Sequence, residues 1–428
     1  MLSVSVVGLG KLGFPLSLCL AKRGFLVTGI DKDETLVAEL NTGSFRHFEP
    51  QVAEFWNGTK QHLHLTTNLQ RAILESSITF VIVPTPTDLS GKFSIRYLRA
   101  SVQEICSVLK EKQEGRHLIV ITSTVLPGDM ERHLLPLVRE FRAQASHLNL
   151  GICYQPWFVA LGNVCEGILA PSMIVIGEER SEDGELLSGL HQSLCGEDVV
   201  IRRMNFINAE ITKIAINSFI TTKISFANML GTLCAKLPGA NIDTVTWTMQ
   251  LDPRLGTGYL KAGGSYGGPC FPRDSKALAS ILRDHRLSTD LPVATDAINE
   301  RMNEDLVSLV LNELEPNGKV AVLGLAYKSQ TAETEASSGV YLLEKLKSLS
   351  VEVVGHDPIV RNSDLSQCLA ETDIAIICTP WPEYSQLPLD TIDAQKRPRV
   401  LIDCWRILKP NLRHLVSKYI GIGSFPSL

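Results

Sequence analysis

Apolar and polar positions along the 428 residues switch between two periods. Short unbroken apolar runs bounded by turn residues read as strands buried on both faces. Longer stretches with apolar residues every three or four positions read as helices. Residues 2–7 predict a first buried strand, residues 14–23 a helix and residues 25–30 a second strand. Further strands are predicted at 78–83, 118–121, 151–154, 173–177 and 199–202. From 205 to about 234 the pattern is continuously helical, long for a globular helix, and reads as a connector shared between domains or subunits. Shorter helices follow at 243–250, 272–284 and 292–314, and buried strands return at 318–323, 351–355, 374–378 and 400–402. Such alternation predicts an α/β protein: two Rossmann-like α/β domains joined by a long central helix and a helical middle domain. The expected boundaries are 1–204, 205–315 and 316–428.

Composition narrows the class. With 44% hydrophobic and 20% charged residues the chain is an ordinary globular one, too long for a single core. Forty-one basic residues against 46 acidic, with no long basic run, argue against a nucleic-acid footprint. No apolar stretch reaches membrane-spanning length, and residues 2–9 lack the basic lead and cleavage site of a secretory signal. Ten cysteines without CxxC pairs or metal-type Cys/His spacing predict no metal centre and a cytoplasmic location, most thiols being small buried hydrophobes.

Two glycine-rich segments carry the candidate chemistry. In the first, Gly8-Leu9-Gly10-Lys11-Leu12-Gly13 sits between the first strand and the first helix. There Gly8 permits the turn, Gly10 lets a pyrophosphate reach the helix N-terminus, and Gly13 allows helix and strand to pack closely. Asp31, ending the second strand, would bond the adenosine ribose and repel a 2′-phosphate, which favours NAD over NADP. Thr85, Ser123 and Thr124 follow the ends of later strands, where ligands bind in open α/β sheets; each reads equally well as a helix cap.

In the second segment, Gly263-Gly264-Ser265-Tyr266-Gly267-Gly268 leads into Pro269-Cys270-Phe271-Pro272-Arg273-Asp274. Pro272 suits the first helical position, which sets Cys270 just ahead of a helix N-terminus, where the partial positive charge favours thiolate. The segment reads either as a nucleophilic Cys with a nearby carboxylate, or as a tight turn with a buried Cys and an acid complementing the dipole. On the long helix, Glu210, Lys213 and Asn217 interrupt an apolar pattern. Lys213 and Asn217 share a face, either to meet polar partners or to form a solvated stripe. The turn after the strand at 318–323, Gly324-Leu325-Ala326-Tyr327-Lys328, is not GxGxxG and predicts no second dinucleotide site; His356-Asp357-Pro358 reads as a turn.

Taken in order, these motifs resemble the UDP-glucose/GDP-mannose dehydrogenase family. The set includes Gly8-x-Gly10-x-x-Gly13 with Asp31, Val83-Pro84-Thr85-Pro86, Ser123-Thr124-Val125, Glu210-x-x-Lys213-x-x-x-Asn217, Asp252-Pro253-Arg254, Tyr259-Leu260-Lys261-Ala262, the loop through Cys270, and Gly324 to Lys328. The resemblance covers essentially the whole chain. It implies oxidation of the primary alcohol of a nucleotide sugar, UDP-hexose favoured, to a carboxylate with two NAD. By resemblance, Cys270 is the nucleophile passing through thiohemiacetal and thioester, and Lys213 steadies the developing oxyanion. Asn217 and Asp274 position water, with Asp274 the base. Cofactor contacts fall on Gly8, Gly10, Lys11, Leu12, Gly13, Asp31, Thr85, Ser123 and Thr124. Substrate contacts fall on Phe158, Lys213, Asn217, Arg254, Tyr259, Lys261, Gly264, Tyr266, Gly267 and Lys328. A homodimer or larger assembly through the central helix is implied.

Two positions depart from the family pattern. Its Asn-Pro-Glu-Phe is here Gln155-Pro156-Trp157-Phe158, without the Glu assigned to acid/base work, and an Arg reaching a neighbour's NAD is replaced by Glu335. Three expectations follow. The chain oxidises fully to the acid; or it stops at the aldehyde, or passes the thioester to another nucleophile; or it binds NAD or a nucleotide sugar without catalysis. Retention of Cys270, Lys213, Asn217 and Asp274 argues against the last.

Overall fold

The computed structural model describes residues 2–45, 50–88, 90–145, 147–393 and 398–425. The chain divides into two compact units, one ending at Ala215 and one beginning at Ile216.

The first unit is built on eight strands: β1 (Ser3–Val7), β2 (Leu26–Ile30), β3 (Leu63–Thr66), β4 (Ile78–Val81), β5 (Gly115–Ile121), β6 (Leu148–Tyr154), β7 (Ile174–Glu178) and β8 (Ile201–Met204). They form one sheet in the order β3-β2-β1-β4-β5-β6-β7-β8. The strands from β3 to β6 pair in parallel; β6 meets β7 antiparallel, and β7 and β8 run parallel to each other. Strand order reverses between β1 and β4, which is where doubly wound sheets open a crevice at their carboxyl ends. Apolar side chains leave both faces of the sheet, so helices cover both. On one side helix α1 (Gly13–Lys22) buries Leu16, Leu18 and Leu20 against Val4, Val6 and Phe80; on the other, Leu98, Val102 and Ile105 pack on Ile119 and Ile121.

The second unit carries five parallel strands, β9 (Lys319–Leu323), β10 (Glu352–His356), β11 (Ile374–Ile377), β12 (Val400–Asp403) and β13 (Lys418–Gly421), in the order β10-β9-β11-β12-β13. This is a second doubly wound sheet, with its reversal between β9 and β11. The helix α2 (Phe206–Cys234) runs across the division at Ala215. The second unit continues with α3 (Ile242–Gln250), α4 (Phe271–Asp284), α5 (Asp290–Glu313) and α6 (Ser338–Ser348).

The two α/β sheets and the long helix agree with the sequence pattern. Some details differ. The strands β3 (Leu63-His64-Leu65-Thr66) and β13 (Lys418-Tyr419-Ile420-Gly421) carry polar residues that break any apolar run, so the sequence does not announce them. Pro272 is not at the first helical position. The first bond of α4 runs from the Asp274 N–H to the Cys270 carbonyl at 2.8 Å, which makes Cys270 itself the N-cap and Phe271 the first helical residue. Among the described residues no helix is long and apolar enough to cross a membrane, and no cluster of His, Cys, Asp or Glu could hold a metal ion.

Candidate active site

In the first unit the turn after β1 is shaped by what cannot fit there. Gly8 has φ +96° and donates its N–H to the Ile30 carbonyl at 2.7 Å. A Cβ on Gly8 would stand 2.1 Å from the Ile82 carbonyl oxygen, and one on Gly13 would stand 1.8 Å from the Gly8 carbonyl oxygen. Neither position can carry a side chain. Gly10 is different: it is exposed, and a Cβ there would meet nothing within 4 Å. The face over Gly10 is therefore open. Lys11 is exposed beside it, Leu12 is the N-cap of α1, and the first turn of α1 holds no acid to compete for its N–H groups. Asp31 is half-buried; its Oδ2 accepts the Leu9 N–H at 2.8 Å and its Oδ1 accepts the Asp33 N–H at 3.0 Å. An open helix N-terminus beside a fixed carboxylate fits the pyrophosphate and ribose diol of NAD.

Further along the sheet, Thr85 is buried and Thr124 half-buried. The Ser123 hydroxyl donates to the Val83 carbonyl at 2.6 Å and accepts the Val83 N–H at 2.9 Å. Ser123 thus ties the segment after β5 to the one after β4.

Lys213 is 8% exposed, with Nζ donating to the Trp157 carbonyl at 2.9 Å and lying 5.0 Å from the centre of the half-buried Phe158 ring. The carbonyl of residue 157, not its side chain, meets the lysine. The Trp157 ring turns into the core and stands edge-on to His191, 5.5 Å between centroids. Burial pushes His191 down to about 3, so this neighbour is neutral.

The second unit holds the thiol. Cys270 is exposed at the N-cap of α4. One turn on, Asp274 is fully buried, and both its carboxylate oxygens are engaged. Oδ2 accepts from Asn217 Nδ2 at 2.6 Å, and Oδ1 from Arg273 Nε and Nη2 at 3.0 Å. Tyr259, at φ +61°, and Tyr266 both stand edge-on to Phe271, at 6.1 and 6.4 Å. The Tyr266 hydroxyl donates to Asp296 at 2.5 Å; burial and this carboxylate push the phenol pKa up.

The glycine loop is held from all sides by polar groups that local sequence does not announce. Gly263 N–H goes to Asn228 Oδ1, Ser265 N–H to Ser338 Oγ, Tyr266 N–H to Asn299 Oδ1 and Gly268 N–H to the Glu335 carbonyl. The N–H groups of Gly264 and Gly267 carry none of these bonds. Trp405 presses on the loop so closely that a Cβ on Gly263 would stand 2.5 Å from its ring, and Arg406 donates to the Ala262 carbonyl and to Asp243. Asn228, Asn299, Asn303, Ser338, Trp405 and Arg406 all escape sequence reasoning, because only the fold brings them to the loop. Glu335 is exposed; its backbone, rather than its charge, meets the loop. Arg254 lies on the surface with 86% of its side chain exposed, paired with Asp252 at 2.5 Å; Lys261 is also exposed, and Lys328 is half-buried.

An open glycine turn at the switch point of a doubly wound sheet, with an acid ending the second strand, defines a dinucleotide-binding protein. Three family models match in order along the chain. They are the NAD binding domain (residues 2–195), the central domain (207–301) and the UDP binding domain (321–410) of the UDP-glucose/GDP-mannose dehydrogenase family. The UDP-glucose 6-dehydrogenase AglM of Haloferax volcanii is 30% identical over 95% of this chain and 97% of its own. The Bacillus subtilis UDP-glucose 6-dehydrogenase TuaD is 28% identical over 94% and 89%. The solved UDP-glucose dehydrogenase of Pyrobaculum islandicum superposes with a TM-score of 0.88, at 28% identity, over 99% of this chain and 98% of its own. The chain belongs to the UDP-glucose/GDP-mannose dehydrogenase family. Its activity is that of an NAD-dependent nucleotide-sugar dehydrogenase, with NAD as cofactor.

Proposed function

We propose that the chain oxidises the C6 primary alcohol of a UDP-hexose, UDP-glucose first among them, to the carboxylate through a covalent bond to Cys270. The observation that carries this reading is an exposed thiol at the N-cap of α4, one turn from a buried carboxylate that Asn217 and Arg273 hold.

NAD, held by Gly8, Gly10, Lys11, Leu12, Gly13 and Asp31 with Thr85, Ser123 and Thr124 nearby, supplies the hydride acceptor for each of the two oxidations. The Cys270 thiolate adds to the aldehyde carbon, forming a C–S bond and a thiohemiacetal oxyanion. Lys213, with its ammonium fixed on the Trp157 carbonyl, steadies that charge. Once the carbon reaches the thioester level, water adds, the C–S bond breaks and Cys270 leaves as thiolate. Asn217 and Asp274 orient the water. Because both oxygens of Asp274 already accept hydrogen bonds, positioning suits it better than proton removal. Arg254, Tyr259, Lys261, Gly264, Tyr266, Gly267, Lys328 and Phe158 contact the substrate, and the N–H groups of Gly264 and Gly267 are donors suited to a diphosphate.

In this reading residues 1–204 bind NAD, 205–315 carry the thiol and 316–428 bind the UDP moiety, which parallels the family-model spans. Exposed Phe219, Phe226, Met229 and Leu233 on α2 and Trp247 on α3 support a homodimer through this helix. Ten cysteines, eight of them buried and none in a disulfide among the described residues, support a reducing, cytoplasmic setting.

A second reading, favoured by the Trp at position 157, stops at the aldehyde or passes the thioester to a nucleophile other than water. Counting products separates the two. With limiting UDP-glucose and excess NAD, two NADH and one acid per sugar are expected, and Cys270→Ser yields at most one NADH. One NADH and free aldehyde from the unaltered chain overturns the full oxidation.

A further inference from the structure

Glu210 is the only acid in α2, it is fully buried, and the chemistry above does not use it. Its two oxygens accept backbone N–H groups of one short segment, Oε2 from Gly128 at 2.6 Å and Oε1 from Met130 at 2.8 Å. These donors open the helical run Met130–Leu134, which continues as Leu135–Gln144, so the carboxylate also meets the positive end of a helix dipole. The segment has little freedom. Gly128 has φ +92°, and Arg132 folds back over it, donating from Nε to the Gly128 carbonyl at 3.1 Å and from Nη2 to the Pro127 carbonyl at 2.7 Å.

Two features of the candidate site are joined by this grip. A few residues before Gly128 lie Ser123, tied to Val83, and Thr124. Three residues after Glu210 lies Lys213, tied to the Trp157 carbonyl. Well-packed apolar side chains can hold a helix against a loop without the desolvation penalty of a buried carboxylate. A charged pin between these two points is therefore a feature to explain by function.

We propose that Glu210 is a positioning residue of the dehydrogenase reaction: it pins the Thr124–Met130 segment to α2 and so fixes Lys213 relative to the loop bearing Ser123 and Thr124. The proposal rests on the roles given above to Lys213 and Thr124.

Burial pushes the Glu210 carboxyl up to about 7, against the lowering effect of its two N–H bonds, with Asp129 and Glu131 adding to the rise. A pKa raised above the unfolded value of 4.5 contributes stability that is complete below that value and is lost as pH rises through 7. The ionised carboxylate, however, is the form that accepts both N–H groups most strongly. Within the folded state the two N–H groups are thus held most closely in the ionised form, even though ionisation lowers overall stability as pH rises through 7.

The test uses the full chain and three variants, Glu210→Gln, Glu210→Ala and Lys213→Ala. The readouts are kcat and KM across about pH 6 to 8.5, NADH affinity by fluorescence, and Tm at each pH. Gln offers one acceptor and one donor where two N–H groups point. It should lower kcat about tenfold at high pH, abolish a rise in kcat centred near 7, and leave Tm at high pH unchanged or raised. Ala should lower kcat about 100-fold through misplacement of Lys213. A Glu210→Gln variant that keeps both the kcat and the inflection overturns the proposal, as does a kcat loss fully accounted for by loss of folded protein. Lys213→Ala retaining its kcat instead overturns the reading of Lys213, whatever Glu210 does.

Discussion

The two units contain the same turn built twice, and it is open in one and closed in the other. After β1, Gly8 has φ +96° and bonds back to Ile30 at 2.7 Å; after β9, Gly324 has φ +98° and bonds back to His356 at 2.7 Å. A Cβ on Gly13 would stand 1.8 Å from the Gly8 carbonyl oxygen, and one on Gly339 would stand 2.0 Å from that of Gly324. In each, the acid after the second strand of its sheet accepts N–H groups of the turn. Asp31 takes Leu9, and Asp357 takes Leu325 at 2.9 Å and Ala326 at 3.0 Å.

The difference lies in what surrounds this frame. Asp31 is half-exposed and the space over Gly10 is empty of protein. Asp357 is fully buried, and it also takes Trp381 Nε1 and the N–H groups of Ile359 and Val360. The helix α6 starts only at Ser338, after an excursion that carries Tyr327 and Lys328 and whose Glu335 and Ser338 hold the glycine loop. A shared strand-turn-helix frame does not make a dinucleotide site. Access to the acid and to the first helical N–H groups does.

The comparison can be broken at several points. The largest effect is expected for Gly8→Val and Gly324→Val, since each forces a β-branched residue to positive φ against a close neighbour. Both should lose about 4 kcal/mol or more in denaturant unfolding, and tolerance at Gly324 would end the claim that the frames are equivalent. Next, Asp357→Asn should cost about 3 kcal/mol of stability, because a buried acceptor of several donors is lost, while NADH affinity stays within about twofold. Gly10→Glu should leave Tm in place, there being room for the side chain. Its carboxylate faces the helix N-terminus, so NADH affinity by fluorescence should fall about 100-fold. The smallest effect is Asp31→Asn: about tenfold weaker NADH binding, reduced preference over NADPH, and under about 1 kcal/mol of stability.

How much of this was legible in the sequence follows the same division. The first turn was readable because all its parts lie within a few residues and Asp31 closely follows. The second turn shows in the sequence only as lacking GxGxxG. Its resemblance in backbone geometry depends on Gly339, set apart from Gly324 by the excursion before α6, and on Asp357, which the sequence reads only as part of a turn. The segment around Cys270 was readable as a glycine loop before a helix, but not its supports. Asn228, Asn299, Asn303 and Trp405 reach the loop from α2, α5 and the residues after β12. Residue 157 is the sharpest case. The sequence shows a Trp where the family pattern has a carboxylate, yet only the backbone path shows that its ring enters the core while its carbonyl meets Lys213. Glu210 was visible as part of a motif, and its partners Gly128 and Met130 were not.

On the proposed mechanism this family member completes its oxidation on Cys270. Intact-mass spectrometry of the full chain, quenched in acid during turnover with NAD and UDP-glucose, tests it directly. A population heavier by the sugar-nucleotide acyl group, mapped to Cys270 and absent from Cys270→Ser, is the predicted result. Steady NADH production with no adduct at Cys270 at any quench time, and an undiminished yield of acid from Cys270→Ser, would contradict it.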